Sequence, residues 1–321
     1  MTIPYLTAEA CETLMDWVAL TDAMIEGHRM APADLRDVLL ARGDDRLLSR
    51  AAWIDGLGGG VKSVTVFPGN PAAGRPSVQG AMLVFDDATG AVEAVIDNPL
   101  VTKWKTAGDS LLGARLLARK DAKRLLIVGA GTVAASLIEA YGALIEGVEV
   151  TVWARRPEQA EALAARHPGT RVATDLEAAV KAAEIVATCT MARAPIIRGA
   201  WLQPGQHLDL IGAFTPEMRE ADDDALKRSR IFVDSRATTI GHIGEITIPL
   251  EAGVISEADV LGDFHDMVAG RAGRQSEDEI TLFKNGGGAH LDLMTARMIL
   301  TRWQAAQPPS TSQRTWDRAD L

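Results

Sequence analysis

Apolar positions along the chain fall into two regimes that change near residue 121. Before it, helical and alternating patterns mix. Residues 7–29 carry Leu14, Trp17, Val18 and Met24 at helical spacing, with Thr7 placed to cap the start and Gly27 near the end, which predicts one helix. VKSVTVF (61–67) alternates like a half-buried strand, and the Pro, Gly and Asn residues from Pro68 to Pro76 predict a loop after it. AMLVFDDATGAVEAVID (81–97) predicts a β-hairpin turning at Asp87–Gly90, and a helix is expected over about 102–118.

After residue 121 the pattern becomes regular. RLLIV (124–128) is a short apolar run, followed by Gly129-Ala130-Gly131 and a helical stretch to about 145. VEVTVW (148–153) is a second run, with a helix from Pro157 to about Arg166. Further apolar runs lie at 184–188, 207–211 and 230–234, with helical segments between them, and 293–304 is again helical. Strands alternating with helices predict βαβ units and a parallel sheet, hence an α/β fold. The polar tail from Gln307, through Pro308, Pro309, Ser310, Thr311 and Ser312, is expected to be extended. No internal repeat is visible.

Composition narrows the function. A chain of 321 residues suggests about two domains. Hydrophobic residues make up 47% and charged residues 24%, enough apolar material to offset the ordering entropy of a globular fold. The net charge of −10 repels phosphodiester backbones, so nucleic acid is not an expected partner. A small anion remains compatible with it, because a basic pocket can sit inside an acidic protein. Cys11 and Cys189 lie far apart and outside any CxxC or Cys/His cluster, which argues against a disulfide framework and a zinc site. The histidines show no metal-ligand spacing, so no metal is expected. The N-terminal stretch carries Glu9 and Glu12 without a basic region or a long apolar run, which argues against a secretory signal. No run of 18 apolar residues suggests a membrane span, and the expected compartment is a reducing cytoplasm.

The run 124–128 leads into Gly129-Ala130-Gly131-Thr132-Val133-Ala134, a GxGxxA at a strand-to-helix turn. Gly129 permits the tight turn and Gly131 lets backbone approach a pyrophosphate. Ala134 allows close helix–strand packing, and the helix N-terminus supplies N–H donors. Gly129, Ala130, Gly131, Thr132 and Val133 are therefore candidate dinucleotide contacts, and Thr190 is a further one. The second run ends in Trp153-Ala154-Arg155-Arg156, with no carboxylate until Glu158. An acid at that position holds the ribose 2′-hydroxyl of NAD, whereas arginines pair with the 2′-phosphate of NADP. Ala154, Arg155 and Arg156 thus predict NADP(H) in preference to NAD(H). The alternative is a pair of solvated surface arginines.

Several segments outside this motif resemble one family. They are GGGVKSVTVFPGN (58–70), GRPSVQGAMLVFDDATG (74–90), VTKWKTAGDSLLGARLLAR (101–119), PIIRGAWLQPGQHLDLIGAFTPEMREAD (195–222), FVDSRATTIGHIGEI (232–246) and GRQSEDEITLFKNGGGAHLDLMTA (273–296). Together they resemble the ornithine cyclodeaminase/mu-crystallin family, in the right order over most of the chain. The resemblance implies a Rossmann-type parallel sheet domain, residues 119–292, inserted in an α+β substrate and dimerisation domain, residues 1–118 with 293–321. It implies a homodimer.

It also implies a substrate carboxylate held by three basic residues, here Arg50, Lys62 and Lys105. Lys105 stands where the family's RTAA motif has Arg, which keeps the charge and loses the bidentate fork. Bland alternatives are a solvent-facing Lys62, a surface pair of Arg50 with Asp45 or Asp55, and a Lys105–Asp109 pair one helical turn apart. Asp292 matches an Asp common near the family's ligand pocket, or is simply a helix N-terminal carboxylate. His242, Glu245 and His290 are weaker site candidates.

Cyclodeaminases of the family carry an Asp where this chain has Phe214, and the reductase members lack it. The resemblance therefore implies a reductase of a cyclic imino acid, Δ1-pyrroline-2-carboxylate and its six-membered homologue Δ1-piperideine-2-carboxylate, giving L-proline and L-pipecolate. Ornithine cyclodeamination, an alanine dehydrogenase-like reaction and a non-catalytic NADPH-binding protein are the rivals. Glu217 and Glu220 are the acids available to the first of these if the loop differs. In a reductase, Lys62 could also deliver a proton.

Overall fold

The computed structural model describes residues 3–308. The first sheet has six strands: β1 (Tyr5–Leu6), β2 (Asp34–Arg42), β3 (Asp45–Ile54), β4 (Gly58–Val66), β5 (Val78–Phe85) and β6 (Val92–Asp97). Their order is β1-β6-β5-β4-β3-β2, antiparallel except that β1 runs parallel to β6. Between β1 and β2 lie α1 (Ala8–Cys11) and α2 (Trp17–Arg29), and α3 (Asn98–Leu117) follows β6. The single helix expected over 7–29 is thus two. Asp16 ends the run, because its carboxylate accepts from Ala19 N at 2.7 Å and starts α2 afresh as an N-cap.

The second unit runs β7 (Arg124–Val128), α4 (Thr132–Leu144), β8 (Glu149–Trp153), α5 (Pro157–Arg166), β9 (Arg171–Val172), α6 (Leu176–Ala182), β10 (Ile185–Thr188) and β11 (His207–Leu210). It continues with α7 (Asp223–Arg228), β12 (Ser229–Val233), α8 (Arg236–Thr239), α9 (Gly244–Glu251), β13 (Val260–Gly262), α10 (Phe264–Val268), β14 (Ile280–Lys284) and α11 (Ala289–Ala306). All eight strands are parallel, in the order β13-β12-β14-β11-β10-β7-β8-β9. The chain steps outward from β7 to β9, then returns to place β10 on the other flank of β7. That reversal opens a crevice at the carboxyl ends of β7 and β10, where Gly129 and Thr190 lie. Strand β14 (ITLFK) is fully buried between β11 and β12, and the pattern had not assigned it. From Pro309 on, the expected extended tail lies outside the described residues.

Helix α3 joins the two sheets. Fourteen of its twenty residues are buried, because it packs on β5 and β6 of one sheet and on β11 and β14 of the other. A helix covered all round shows no single apolar stripe, and this one buries Lys105 and Asp109 among its apolar neighbours. Helix α11 starts at Ala289, earlier than expected, after the extended Gly288, and returns to pack on α2, α3, β3 and β4. No helix among the described residues is long and apolar enough to cross a membrane.

Strand alternation sorts the first sheet into two faces. Arg50, Lys62, Met82 and Ile96 are successive cross-strand partners and share the inner face. Val38, Leu40, Leu47, Trp53 and Leu83 share the outer face and are exposed.

Candidate active site

The turn after β7 is built for an anion. Gly129 has φ +131°, and a Cβ there would lie 2.7 Å from Cys189 Sγ and 2.9 Å from its carbonyl oxygen, so no other residue fits. At Gly131 a Cβ would meet nothing within 4 Å, so the space in front of the turn is open. Gly131 is the N-cap of α4 and offers no side-chain cap, while Thr132 and Val133 begin the helix. Its first N–H groups are therefore free for a ligand. Ala134 is fully buried, as close helix–strand packing requires. These features fit a dinucleotide pyrophosphate. At the end of β8, Ala154 is buried, whereas Arg155 and Arg156 are exposed, and neither makes an ion pair among the described residues.

Across the crevice, Thr190 donates to Glu220 from both its N (2.8 Å) and its Oγ1 (2.7 Å). The other Glu220 oxygen accepts from Gly212 N at 2.6 Å. Fully buried Glu220 therefore ties the loop after β10 to the loop after β11. Glu245 is fully buried behind it and accepts from Glu220 N (2.7 Å) and Ala221 N (3.0 Å). Burial, then the nearby Glu220, pushes the Glu245 carboxyl up to about 7. Glu245 is a structural brace, and His242 is exposed on its own loop.

The four substrate candidates converge. Lys62 donates to Asp292 at 2.6 Å, and both are buried, so Lys62 does not face solvent. Asp292 lies in the first turn of α11, so the helix-terminal and ion-pair descriptions both hold. Lys105 is buried, and its Nζ lies against Gly287, which at φ +67° has no room for a side chain. No side-chain hydrogen bond of the described residues uses the Lys105 ammonium, and it forms no ion pair with Asp109. Arg50 pairs through Nε with Asp37 at 2.9 Å rather than with Asp45 or Asp55.

The electrostatics agree with this clustering. Burial pushes the Asp292 carboxyl up, but Lys62, Lys105 and Arg50 together hold it below its ordinary value. Burial lowers the Lys62 ammonium more than Asp292 restores it. Asp292 pairs with Lys62 and the exposed Asp37 with Arg50, so the three cations keep one surplus positive charge, on Lys105, which suits a small carboxylate ligand.

Other candidates play different parts. His290 is buried, and burial together with His265 pushes its imidazole down to about 3, so the ring is neutral. It stacks edge-on to His28 at 5.5 Å. Phe214, after β11, is 58% exposed. Sequence reasoning missed Asp234 at the end of β12. Its carboxylate accepts from Ser235 N, Thr239 Oγ1, Gly286 N and Gly287 N, which fixes the glycine turn against Lys105. An acid directly after an apolar run, FVD at 232–234, was the available signal. Among the described residues no group of three or more His, Cys, Asp or Glu side chains is placed to hold a metal.

A parallel sheet with an open glycine turn at its switch point, beside a buried cluster of surplus positive charge, defines a Rossmann-type dinucleotide enzyme for a small anion. The chain belongs to the ornithine cyclodeaminase/mu-crystallin family, whose model matches residues 53–307. It is 56% identical over 291 residues to a Δ(1)-pyrroline-2-carboxylate reductase of Paracoccus denitrificans, covering 89% of this chain and 92% of that protein. Among solved structures, the Δ(1)-pyrroline-2-carboxylate reductase of Thermococcus litoralis, in complex with NADH and L-proline, superposes with a TM-score of 0.87 at 26% identity, over 94% and 98% of the two chains. An archaeal alanine dehydrogenase dimer with bound NAD gives 0.87 at 29% identity, over 95% and 97%.

Proposed function

We propose that this oxidoreductase reduces the C=N bond of Δ1-pyrroline-2-carboxylate, giving L-proline. The observation that carries the reading is the cluster of buried Lys62 and Lys105 with half-buried Arg50 around Asp292, in a chain so similar to a reductase of that substrate. A bound nicotinamide dinucleotide would supply the hydride. The chain's own residues bind and orient. Lys105 and Arg50 neutralise the carboxylate, and Lys62 holds Asp292 ionised. The second Asp292 oxygen is buried without a partner, and its charge stabilises the positive charge of the protonated ring. Protonation matters because an iminium takes hydride far better than an imine. The six-membered Δ1-piperideine-2-carboxylate presents the same carboxylate and nitrogen and is a second substrate. The test is NAD(P)H oxidation against a panel of both imino acids, pyruvate with ammonia or methylamine, and ornithine. Turnover confined to the pyruvate arms would overturn the reading.

NADP(H) is the proposed cofactor, because Arg155 and Arg156 are exposed and unpaired where a 2′-phosphate would lie. A hydrogen bond to a charged group is worth about 1.5–3 kcal/mol. Arg155→Ala is therefore expected to weaken NADPH roughly tenfold or more and to leave NADH nearly unchanged. Equal affinity of the unaltered protein for both cofactors, measured by fluorescence titration, would sink this preference.

We also read residues 1–118 with 293–321 as the substrate and dimerisation unit and 119–292 as the dinucleotide unit. Antiparallel sheets normally turn a polar face to water. Here Val38, Leu40, Leu47 and Trp53 are exposed on the outer face of the first sheet, beside a hollow of about 430 Å³ lined by residues including Arg36, Trp53 and Phe85. That face is the proposed homodimer contact. Leu40→Glu combined with Val38→Glu is expected to give a monomer in sedimentation velocity. A dimer that survives both changes would place the contact elsewhere.

A further inference from the structure

The reduction needs a proton at the imine nitrogen, and one buried acid stands apart from those already described. Asp109 lies on α3, one helical turn beyond Lys105, so the two side chains share a helix face. It is fully buried, and no donor reaches either of its carboxyl oxygens. Its neighbour Asp234 has the opposite environment. Four donors, two of them from the glycine turn against Lys105, already occupy the Asp234 oxygens. A buried carboxyl that no donor reaches, with another carboxyl nearby, keeps its proton. The groups that act on Asp109 are Asp234 from the end of β12, Lys105 on its own helix, Asp209 from β11 and Lys284 from β14. Burial first, and Asp234 next, push the Asp109 carboxyl well above its ordinary value. Asp209 has its own partners, Ser110 at 3.1 Å and Tyr141 at 3.1 Å.

The two lysines of the site differ in the same way. Lys62 is locked to Asp292, and removing its proton would strand a buried carboxylate. Lys105 forms no ion pair among the described residues, so giving up its proton breaks none.

We propose that Lys105 delivers the proton to the imine nitrogen and that Asp109 restores it. The inference rests on the imine-reductase reading above. In the step, the nitrogen lone pair takes a proton from the Lys105 ammonium, and the new N–H bond gives the iminium. The Asp109 O–H proton passes to the Lys105 amine through one bridging water, so that Asp109 becomes a carboxylate near an ammonium. A bound nicotinamide would supply the hydride for the ring carbon of this iminium. Solvent reprotonates Asp109 between turnovers. Asp109 acts through Lys105 and does not itself touch substrate.

The test compares Asp109→Asn and Lys105→Arg with the unaltered protein on Δ1-pyrroline-2-carboxylate, with kcat followed from pH 5 to 9. Asparagine keeps the shape of Asp109 without an acidic proton. Arginine keeps the charge at position 105 and cannot part with its proton. Both variants are expected to lose about 10²-fold in kcat near pH 8, within the usual range for general acid catalysis. The deficit should shrink as pH falls, because an iminium formed in solution needs no donor. NADPH affinity, and affinity for the non-reducible pyrrole-2-carboxylate, should stay within about threefold in both variants. A pH-independent loss, or an Asp109→Asn protein with the unaltered kcat and profile, overturns the proposal. Failure of the unaltered protein to reduce the imine overturns instead the reading on which it rests. If Asp109→Asn does not fold, Lys105→Arg decides alone, and undiminished kcat at pH 8 refutes the delivery step.

Discussion

Lys62→Met is expected to lower kcat/KM on Δ1-pyrroline-2-carboxylate by about a hundredfold or more, with NADPH affinity within about twofold of the unaltered protein. A hundredfold corresponds to about 2.7 kcal/mol, within the range for truncating one member of a buried charged pair. The same change costs stability. Lys62 and Asp292 are 8% and 1% exposed, so the variant leaves an uncompensated carboxylate in the interior. Breaking such a pair costs about 3–5 kcal/mol. Part of that cost is relieved because Asp292, freed from its largest cationic neighbour, is pushed up by burial and takes a proton. The double variant Lys62→Met with Asp292→Leu removes both charges and should recover most of the lost stability. It should recover none of the turnover, since neither the Lys62 charge nor the Asp292 carboxylate that stabilises the protonated ring returns. Denaturant unfolding and steady-state kinetics on the same three proteins separate the two effects. If the double variant regained turnover, the ion pair would be structural and the substrate would lie elsewhere.

The dinucleotide turn was legible in the sequence because its determinants are local. Gly129, Gly131 and Ala134 lie within six residues, and each answers a steric demand of a single strand–turn–helix. Lys62 and Asp292 reached the same list only through the family resemblance. No spacing rule links positions 230 residues apart, and the pair exists because α11 returns to β4. Arg50 too was reached only through the resemblance, and not as a neighbour of Lys62. Strand β3 carries apolar groups on both faces, so Leu47, Leu48, Ala51 and Ala52 show no alternation, and the register that sets Arg50 opposite Lys62 was hidden. Glu220 and Asp234 left the faintest trace. Their partners are backbone N–H groups on other loops, Thr190 and Gly212 for one and Gly286 and Gly287 for the other. Backbone donors have no sequence signature. Helix α3 shows the same limit at the level of packing. Its burial by two sheets erased the stripe that would have told which of Lys105 and Asp109 faces inward, and both do.

L-Ornithine is expected to give no detectable ammonia or proline with either NAD or NADP, under conditions where the cyclic imine is reduced readily. Cyclodeamination needs a carboxylate near the substrate amines during hydride removal and ring closure. The family resemblance puts that carboxylate at position 214, where this chain has an exposed phenylalanine. The neighbouring acids do not replace it. Glu217 is exposed and accepts from Thr215 Oγ1 at 2.8 Å. Glu220 is fully buried, and three donors from Thr190 and Gly212 occupy its oxygens. Of the carboxylates in the cluster, Lys62 already holds Asp292 and Arg50 holds Asp37. A second ammonium brought by ornithine would therefore enter a site with three cations and no carboxylate that is not already ion-paired. Burying it unpaired would cost several kcal/mol. A closed ring avoids that cost, because its side chain carries no charge. Phe214→Asp is expected to slow imine reduction and to allow weak ornithine binding, without establishing efficient ring closure, because Arg50, Lys62 and Lys105 still repel the distal ammonium. Ammonia release from ornithine by the unaltered protein, followed with a coupled dehydrogenase assay, would mean that a carboxylate reaches the substrate from outside this cluster. The reductase reading would fall with it.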